Sequence, residues 1–165
     1  MNRPAQSFVA TSPASLTLDA QLCFALYSAQ LAMGKIYRKH LADLGLTYPQ
    51  YLVMLVLWEA DGTTVTALGE RLYLDSATLT PLLKRLQAMG LLRRDRAADD
   101  QRQVRVTLTQ AGRDLWHRAG DIPRGVLCAT GCSPDHARVL KAELEELRAH
   151  LLAASAPLEN RAAPD

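Results

Sequence analysis

Read by the spacing of its apolar positions, the chain is a series of helical stretches interrupted by one short stretch of strand. The first helix is expected to begin near Asp19, a good N-cap, and to run to about Leu44, where Gly45 suits the position that ends a helix. Thr47 is placed to cap the next helix, with Pro49 in its first turn, where a missing N–H costs nothing. That helix is almost wholly apolar from Tyr51 to Trp58, so it is expected at the centre, and Asp61-Gly62 ends it as a turn. Two short helices follow, about Val65–Tyr73 and Ser76–Met89, the second capped by Asp75 and closed by Gly90. Leu91–Asp95 and Gln103–Leu108 read as strands. In the second of these, apolar and polar side chains alternate from Val104 to Leu108, the period of a half-buried strand. The polar run between them suits a hairpin loop. Thr109 caps a further helix that continues past Trp116 and is bent or interrupted at Pro123. Ser133-Pro134 opens a last amphipathic helix, to about Ala153, with Leu140, Leu144, Leu147 and Leu151 on one stripe. Residues 1–18 and 154–165 are rich in Ala, Ser and Pro, lack periodicity, and are expected to be mobile tails.

The order helix, helix, short turn, helix, β-hairpin, helix is that of a winged helix-turn-helix. The expected fold is mainly α with a small β-hairpin wing, in one domain over residues 19–153 whose winged lobe spans about 47–109. In this arrangement the second helix of the pair enters a DNA major groove with its N-terminal side chains at base edges. Those side chains are Ser76, Ala77, Thr78 and Thr80, small enough to approach bases closely. Lys84 and Arg85 lie further along and suit phosphates. Leu79, Leu82, Leu83 and Leu86 recur at helical spacing and are expected to face inward, whereas Pro81 conflicts with a helix interior. In the hairpin loop, Arg96 and Arg102 are candidates to enter a narrow minor groove, and Asp100 is placed to orient Arg102.

Charge sharpens this picture. The whole chain carries a formal net charge of only +2. From Lys84 to Arg105, however, there are seven cations against three anions, a net +4, so the remainder is net negative. A local basic stripe of this kind is the footprint of phosphate binding. The longest apolar run is far short of the ~20 residues that cross a bilayer. No continuous apolar stretch near Arg3 forms a signal peptide, so no membrane role and a cytoplasmic location are expected. In that compartment thiols stay reduced, and Cys23, Cys128 and Cys132 are core residues, metal ligands or redox groups rather than a disulfide framework.

With these residues in view, the stretch LYLDSATLTPLLKRLQAMGLLRRDRAADDQRQVRVTLTQAGRDL resembles the MarR family of winged-helix repressors. Asp100, Arg102, the alternating strand to Thr109 and Gly112 carry the family's wing pattern, and the likeness extends over about Leu16–Leu152. The resemblance implies a homodimer held by its terminal helices, about 19–45 and 110–153, on a pseudo-palindromic double-stranded operator. Within that family the chain is similar to the organic hydroperoxide resistance regulators (OhrR) of the two-cysteine kind. Cys23 and Tyr27 in LCFALY, Tyr37 in GKIYRKHL, Tyr48 in LTYPQYLVM and Cys128 in IPRGVLCATGC carry this likeness. It implies that Tyr37 and Tyr48 donate to a Cys23 thiolate while Tyr27 lines the site. Organic hydroperoxides would then be the inducer, oxidising Cys23 to a sulfenic acid that a partner thiol at Cys128 condenses to a disulfide.

The spacing has its own physical content. Cys23 and Tyr37 fall on nearly one face of a helix but about 21 Å apart along it, so they cannot touch within one chain. Two copies paired antiparallel about an axis near Gln30 bring Tyr37 of one opposite Cys23 of the other, as an isologous interface requires. Leu22, Phe24 and Met33 would favour organic peroxides over hydrogen peroxide. Cys132 is an alternative resolving thiol or a bystander. Cys128, Cys132 and His136 have a metal-like spacing, but Gly131, Ser133 and Pro134 break the helix that would align them, so neither metal nor cofactor is expected. Two rivals stand beside this reading. One is a repressor of the same fold that answers a phenolic ligand held between the first helix and the winged lobe. The other is a thiol peroxidase, an enzyme, against which the basic stripe argues; no Ser/His/Asp set or Gly-rich phosphate loop is present.

Overall fold

The computed structural model describes residues 16–96 and 103–155 of the chain. These fall into two compact units that divide between Gly120 and Asp121. The mobile tails expected at the two ends lie outside the described residues, apart from 16–18 and the helical 154–155.

The first unit opens on a 3-10 turn, Leu18–Ala20, followed by helix α1, Leu22–Leu41. Asp19 therefore does not cap α1, contrary to the sequence reading: it sits inside the 3-10 turn, and the extended backbone of Gln21 restarts the chain as a helix. A second 3-10 turn, Ala42–Leu44, is closed by Gly45 in the left-handed region. Helix α2, Tyr48–Glu59, starts with Thr47 at its N-cap. The Gln50 carboxamide oxygen accepts from the Thr47 N–H at 2.8 Å and from the Thr47 hydroxyl at 3.0 Å. Gln50 is a buried polar residue of the core, only 4% exposed, and these bonds make that burial tolerable. Behind it Tyr51, Val53, Met54 and Leu57 are buried, as the apolar run requires of a central helix.

Strand β1, Thr63–Thr64, leads into helix α3, Val65–Leu72, and helix α4, Ser76–Ala88. Leu68 of α3 and Leu79, Leu83 and Leu86 of α4 close the core on this side. Leu82, expected inward with them, is half-buried. Strands β2, Leu92–Arg96, and β3, Val104–Leu108, form the wing, with Leu92 opposite Leu108, Arg94 opposite Val106 and Arg96 opposite Val104. β1 adds to the far side of β3, giving a three-stranded antiparallel sheet in the order β1-β3-β2. The hairpin expectation lacked β1, since a two-residue strand has no periodicity to read.

Helix α5, Gln110–Ala119, is capped by Thr109, whose hydroxyl accepts from the Gly112 N–H at 3.1 Å and donates to the Gly90 carbonyl at 2.6 Å. One cap thus pins α5 to the end of α4. The second unit is helix α6, Ile122–Thr130, with Pro123 in its first turn, and helix α7, Pro134–Ser155. Pro123 thus separates two helices, within the range of outcomes its position allows. No residue of α7 is buried, and Leu140, Leu144 and Leu151 of its stripe are exposed.

Candidate nucleic-acid interface and thiol site

Helix α4 presents its first turn to solvent. The Asp75 carboxylate accepts from the Thr78 N–H at 2.6 Å, and that bond holds it below the usual carboxylate range. Ser76, Ala77 and Thr78 are exposed, as are Lys84 and Arg85 two turns later. Thr80 is half-buried, and its hydroxyl donates to the Ser76 carbonyl at 2.6 Å. Pro81 stands inside α4, which runs on through it to Ala88. Its side is exposed, so the carbonyl left without a helical donor there is one that water can reach.

The wing is tied to this helix and to the rest of the lobe by side chains. Arg94 of β2 donates through Nε to the Gln87 side-chain oxygen of α4 at 2.7 Å. Arg105 of β3 donates to the Gly62 carbonyl at 3.2 Å. Asp61 is a hub: one carboxylate oxygen accepts from the N–H groups of Gly62 and Leu108 at 2.9 and 2.8 Å, the other from the Arg113 guanidinium at 2.6 Å. The carboxylate so joins the end of α2, the end of β3 and helix α5. Arg96, at the outer end of β2, is exposed. Asp100 and Arg102, the other two wing candidates, lie outside the described residues.

The redox candidates separate into two places. Cys23 is an exposed, free thiol on the second residue of α1. Tyr37 lies fourteen residues on in the same helix, about 21 Å along its axis. There it meets α2, its ring centroid 4.1 Å from that of Tyr48 and 6.1 Å from that of Tyr51. Burial above all, then the neighbouring Tyr48 and Tyr51 hydroxyls and a hydrogen bond with Tyr48, pushes the Tyr37 phenol up to about 12. Burial also raises Tyr48, which the bond with Tyr37 offsets in part, and raises Tyr51. All three are therefore neutral O–H donors at ordinary pH. Sequence reasoning omits Tyr51, although its spacing of three from Tyr48 places both on one side of α2.

Tyr27, 57% exposed, and Tyr48, 37% exposed, both line a cavity of about 580 Å³ between α1 and the start of α2. Gln30, Leu31, Met33, Gly34, Arg38, Leu46, Thr47 and Pro49 complete its wall. The structure thus brings Tyr37 and Tyr48 together and Tyr27 and Tyr48 onto one cavity, and leaves Cys23 of the same chain far from Tyr37. Cys128, on α6, is exposed and free; Cys132 is free and half-buried. Among the described residues no three His, Cys, Asp or Glu side chains gather to hold a metal ion. No single helix there is long and apolar enough to cross a membrane.

Comparison with known proteins places this arrangement. A family profile described as transcriptional regulator SarA/Rot matches residues 35–119. The HTH-type transcriptional regulator TtmR of Methylorubrum extorquens (strain PA1) is 50% identical over 147 residues, 89% of this chain and 75% of that protein. The organic hydroperoxide resistance transcriptional regulator of Bacillus subtilis (strain 168) is 45% identical over 132 residues, 80% of this chain and 90% of that protein. Among solved structures, reduced AbfR bound to DNA is 36% identical with a TM-score of 0.68, covering 82% of this chain and 94% of that one. AbfR with a disulfide formed is 37% identical with a TM-score of 0.60, covering 82% of this chain and 92% of that one. The likeness runs through the winged lobe and the helix that bears Cys23 and Tyr37, and the chain belongs to the MarR-type winged-helix transcriptional regulators, in their organic hydroperoxide resistance group.

Proposed function

We propose that the chain is a homodimeric repressor that holds a pseudo-palindromic operator and releases it when an organic hydroperoxide oxidises Cys23. The observation that carries this reading is the pairing of Tyr37 with Tyr48, two neutral phenols, at a helical spacing from Cys23 that no single chain can close. Two copies of α1 lying antiparallel bring one chain's thiol to the other's phenols. Support for the dimer comes from α1, where Leu41 alone is buried and Leu22, Tyr27 and Leu31 are exposed, and from the unburied stripe of α7. Apolar faces of this length need a partner in water.

Hydrogen bonds from phenols favour the thiolate over the thiol. The Cys23 thiolate attacks the outer oxygen of the hydroperoxide, the O–O bond breaks, and the alkoxide leaves as an alcohol after taking a proton. Cys23 is left as the sulfenic acid, oxidised by two electrons. The Cys128 thiol of the partner then attacks that sulfur, forming the S–S bond and releasing water. Bringing the two sulfurs together requires Cα atoms within about 7 Å. Helix α6 follows α5 directly in the chain, and within the winged lobes Asp61 holds α5 to the end of β3 and Thr109 holds it to the end of α4. Half-sites about 34 Å apart tolerate little rotation of those lobes. On the DNA, Ser76, Thr78 and Thr80 read bases, Lys84 and Arg85 hold phosphates, and Arg96 and Arg102, the latter oriented by Asp100, serve the minor groove. The 580 Å³ cavity, walled by Leu31, Met33 and Leu46, admits the organic part of the peroxide.

The same cavity favours a second reading, in which a small phenolic ligand seated there, rather than oxidation, releases the DNA. One experiment separates the two: a gel shift on the chain's own promoter region, with and without an organic hydroperoxide, for wild type and Cys23→Ser. Release in the wild type and retention in the variant is the expected result. Release in both removes the redox mechanism and leaves the ligand-responsive repressor.

A further inference from the structure

The chain's two tryptophans, Trp58 near the end of α2 and Trp116 on α5, line one cavity of about 370 Å³. Leu57, Asp61, Leu108 and Arg113 complete its wall, so α2 and the turn after it, the end of β3 and α5 all contribute. It shares no residue with the cavity that Tyr48 lines, and none with helix α4.

Much of this wall is held in place by the fold. Leu57 and Leu108 belong to the core and supply its buried, apolar part. The Trp58 indole N–H donates to the Gly112 carbonyl at 2.9 Å, which orients that ring. Trp116, three residues beyond Arg113 and so on the same side of α5, is 55% exposed. The polar pair is unequal in what it has left to offer. The Asp61 carboxylate already accepts from the Gly62 and Leu108 N–H groups and from Arg113. Arg113 gives Asp61 one bond, from Nη1 at 2.6 Å, and its side chain stays 51% exposed. A guanidinium carries five N–H donors. The group that a ligand meets here is therefore a positively charged donor, steadied by a carboxylate whose acceptor capacity is largely used.

We infer that this cavity binds a small aromatic monoanion of one or two rings, its ring against the indoles and its anionic oxygen on the Arg113 guanidinium. The volume lies at the small end of the range for ligand sites. Indoles favour flat rings, and a guanidinium favours a carboxylate, to which it donates in a charge-assisted bond. An ammonium ligand would face the Arg113 charge beside an acceptor already engaged, and an aliphatic acid would forgo the indoles. The inference rests on the fold of the winged lobe and is independent of the redox reading.

The test uses 4-nitrobenzoate, a one-ring anion that quenches indole emission, titrated into the full chain kept reduced. Trp58→Phe and Trp116→Phe each retain one indole, and both should be quenched saturably with closely matching Kd values, in about the millimolar range or below. Calorimetry should give a similar Kd for wild type, and one about tenfold weaker for Trp116→Ala and for Arg113→Gln, with thermal melting of each. 4-Nitrobenzyl alcohol, which has the same ring without the charge, should bind the unaltered chain about tenfold more weakly. That comparison tests the guanidinium even if Arg113→Gln melts early. Arg38→Ala, in the wall of the other cavity, should bind 4-nitrobenzoate as wild type does. Quenching that never saturates, or equal affinity for the acid and the alcohol, overturns the assignment. Binding lost in Arg38→Ala and kept in Trp116→Ala also overturns it, and moves the ligand to the cavity that Tyr48 lines.

Discussion

The ring of Tyr37, on α1, lies 4.1 Å from the ring of Tyr48, on α2, centroid to centroid and tilted by 33°. This contact ties the helix that carries the candidate thiol to the central helix of the winged lobe, and it has a consequence at high pH. In the folded chain the Tyr37 phenol ionises near 12, against 10.0 for an unhindered phenol. Between those values the unfolded chain has lost a proton that the folded chain retains, so folding stability falls as pH rises. The full contribution is present below pH 10, drains away from there to about 12, and changes no further beyond. Urea unfolding across this range should show a steeper decline for wild type than for Tyr37→Phe. Ultraviolet titration should show the ionisation of Tyr37, Tyr48 and Tyr51 displaced to high pH, that of Tyr37 to about 12.

A shared thiol site makes a stricter demand on mixtures of subunits. Tyr37→Phe or Tyr48→Phe should each slow oxidation of Cys23 by about tenfold, since each removes a hydrogen bond to a charged group. Cys23→Ser should abolish it. In a heterodimer of one Cys23→Ser subunit with one Tyr37→Phe subunit, the surviving Cys23 faces the intact Tyr37 of its mate if the site is intermolecular. Such a heterodimer should react at the wild-type rate per thiol. A rate equal to that of the Tyr37→Phe homodimer would place thiol and phenol in one chain, and stopped-flow measurement of thiol loss distinguishes the two.

Much of this was legible before any coordinates because it is local. Thr47 and Gln50 are three residues apart, and a capping box needs nothing more distant. Asp75 and Thr78, and Thr109 and Gly112, follow the same rule. The α2 core follows from an apolar run, and Leu79, Leu83 and Leu86 from helical spacing. What escaped is non-local or under-determined. β1 is two threonines whose strand character comes from pairing with Val106 and Arg105 some forty residues later. The Asp61 hub likewise reaches Leu108 and Arg113, and nothing near Asp61 announces it. Asp19 is as good a cap as Asp75, yet the chain uses it inside a 3-10 turn instead. Of the candidate sensing site, the spacing of Cys23 and Tyr37 is readable because one helix holds both, and Tyr48 joins them only through the packing of α1 on α2.

The crossing of α5 over the end of α4 is close enough to require a glycine. A Cβ on Gly112 would stand 2.0 Å from the Leu91 carbonyl oxygen and 3.2 Å from the Leu108 side chain. The obstruction is backbone, and that carbonyl also accepts from the Thr109 N–H at 3.0 Å, so it cannot swing aside cheaply. The Gly112 carbonyl in turn accepts from the Trp58 indole at 2.9 Å, tying the same turn to α2. Gly112→Ala should therefore destabilise the fold by about 3 kcal/mol or more, as forced overpacking does. For a chain of this size that lowers the melting temperature by roughly 10 °C. A melting curve indistinguishable from wild type would mean that α5 is free to lift off Leu91.

The two remaining thiols differ in a way that bears on which one resolves the sulfenic acid. Cys128 is exposed on α6, whereas Cys132 is half-buried beyond Gly131, with its N–H donating to the Thr130 hydroxyl at 3.1 Å. An attacking thiol must reach the oxidised sulfur, and access favours Cys128. After treatment with an organic hydroperoxide, non-reducing electrophoresis should show a cross-linked dimer for wild type and for Cys132→Ser. No cross-link should form in Cys23→Ser or Cys128→Ser. In Cys128→Ser the sulfenic acid should persist and be trapped by dimedone, then overoxidise with excess peroxide. A cross-link that survives Cys128→Ser and vanishes in Cys132→Ser would transfer the resolving role to Cys132, at the cost of first freeing that thiol from its turn.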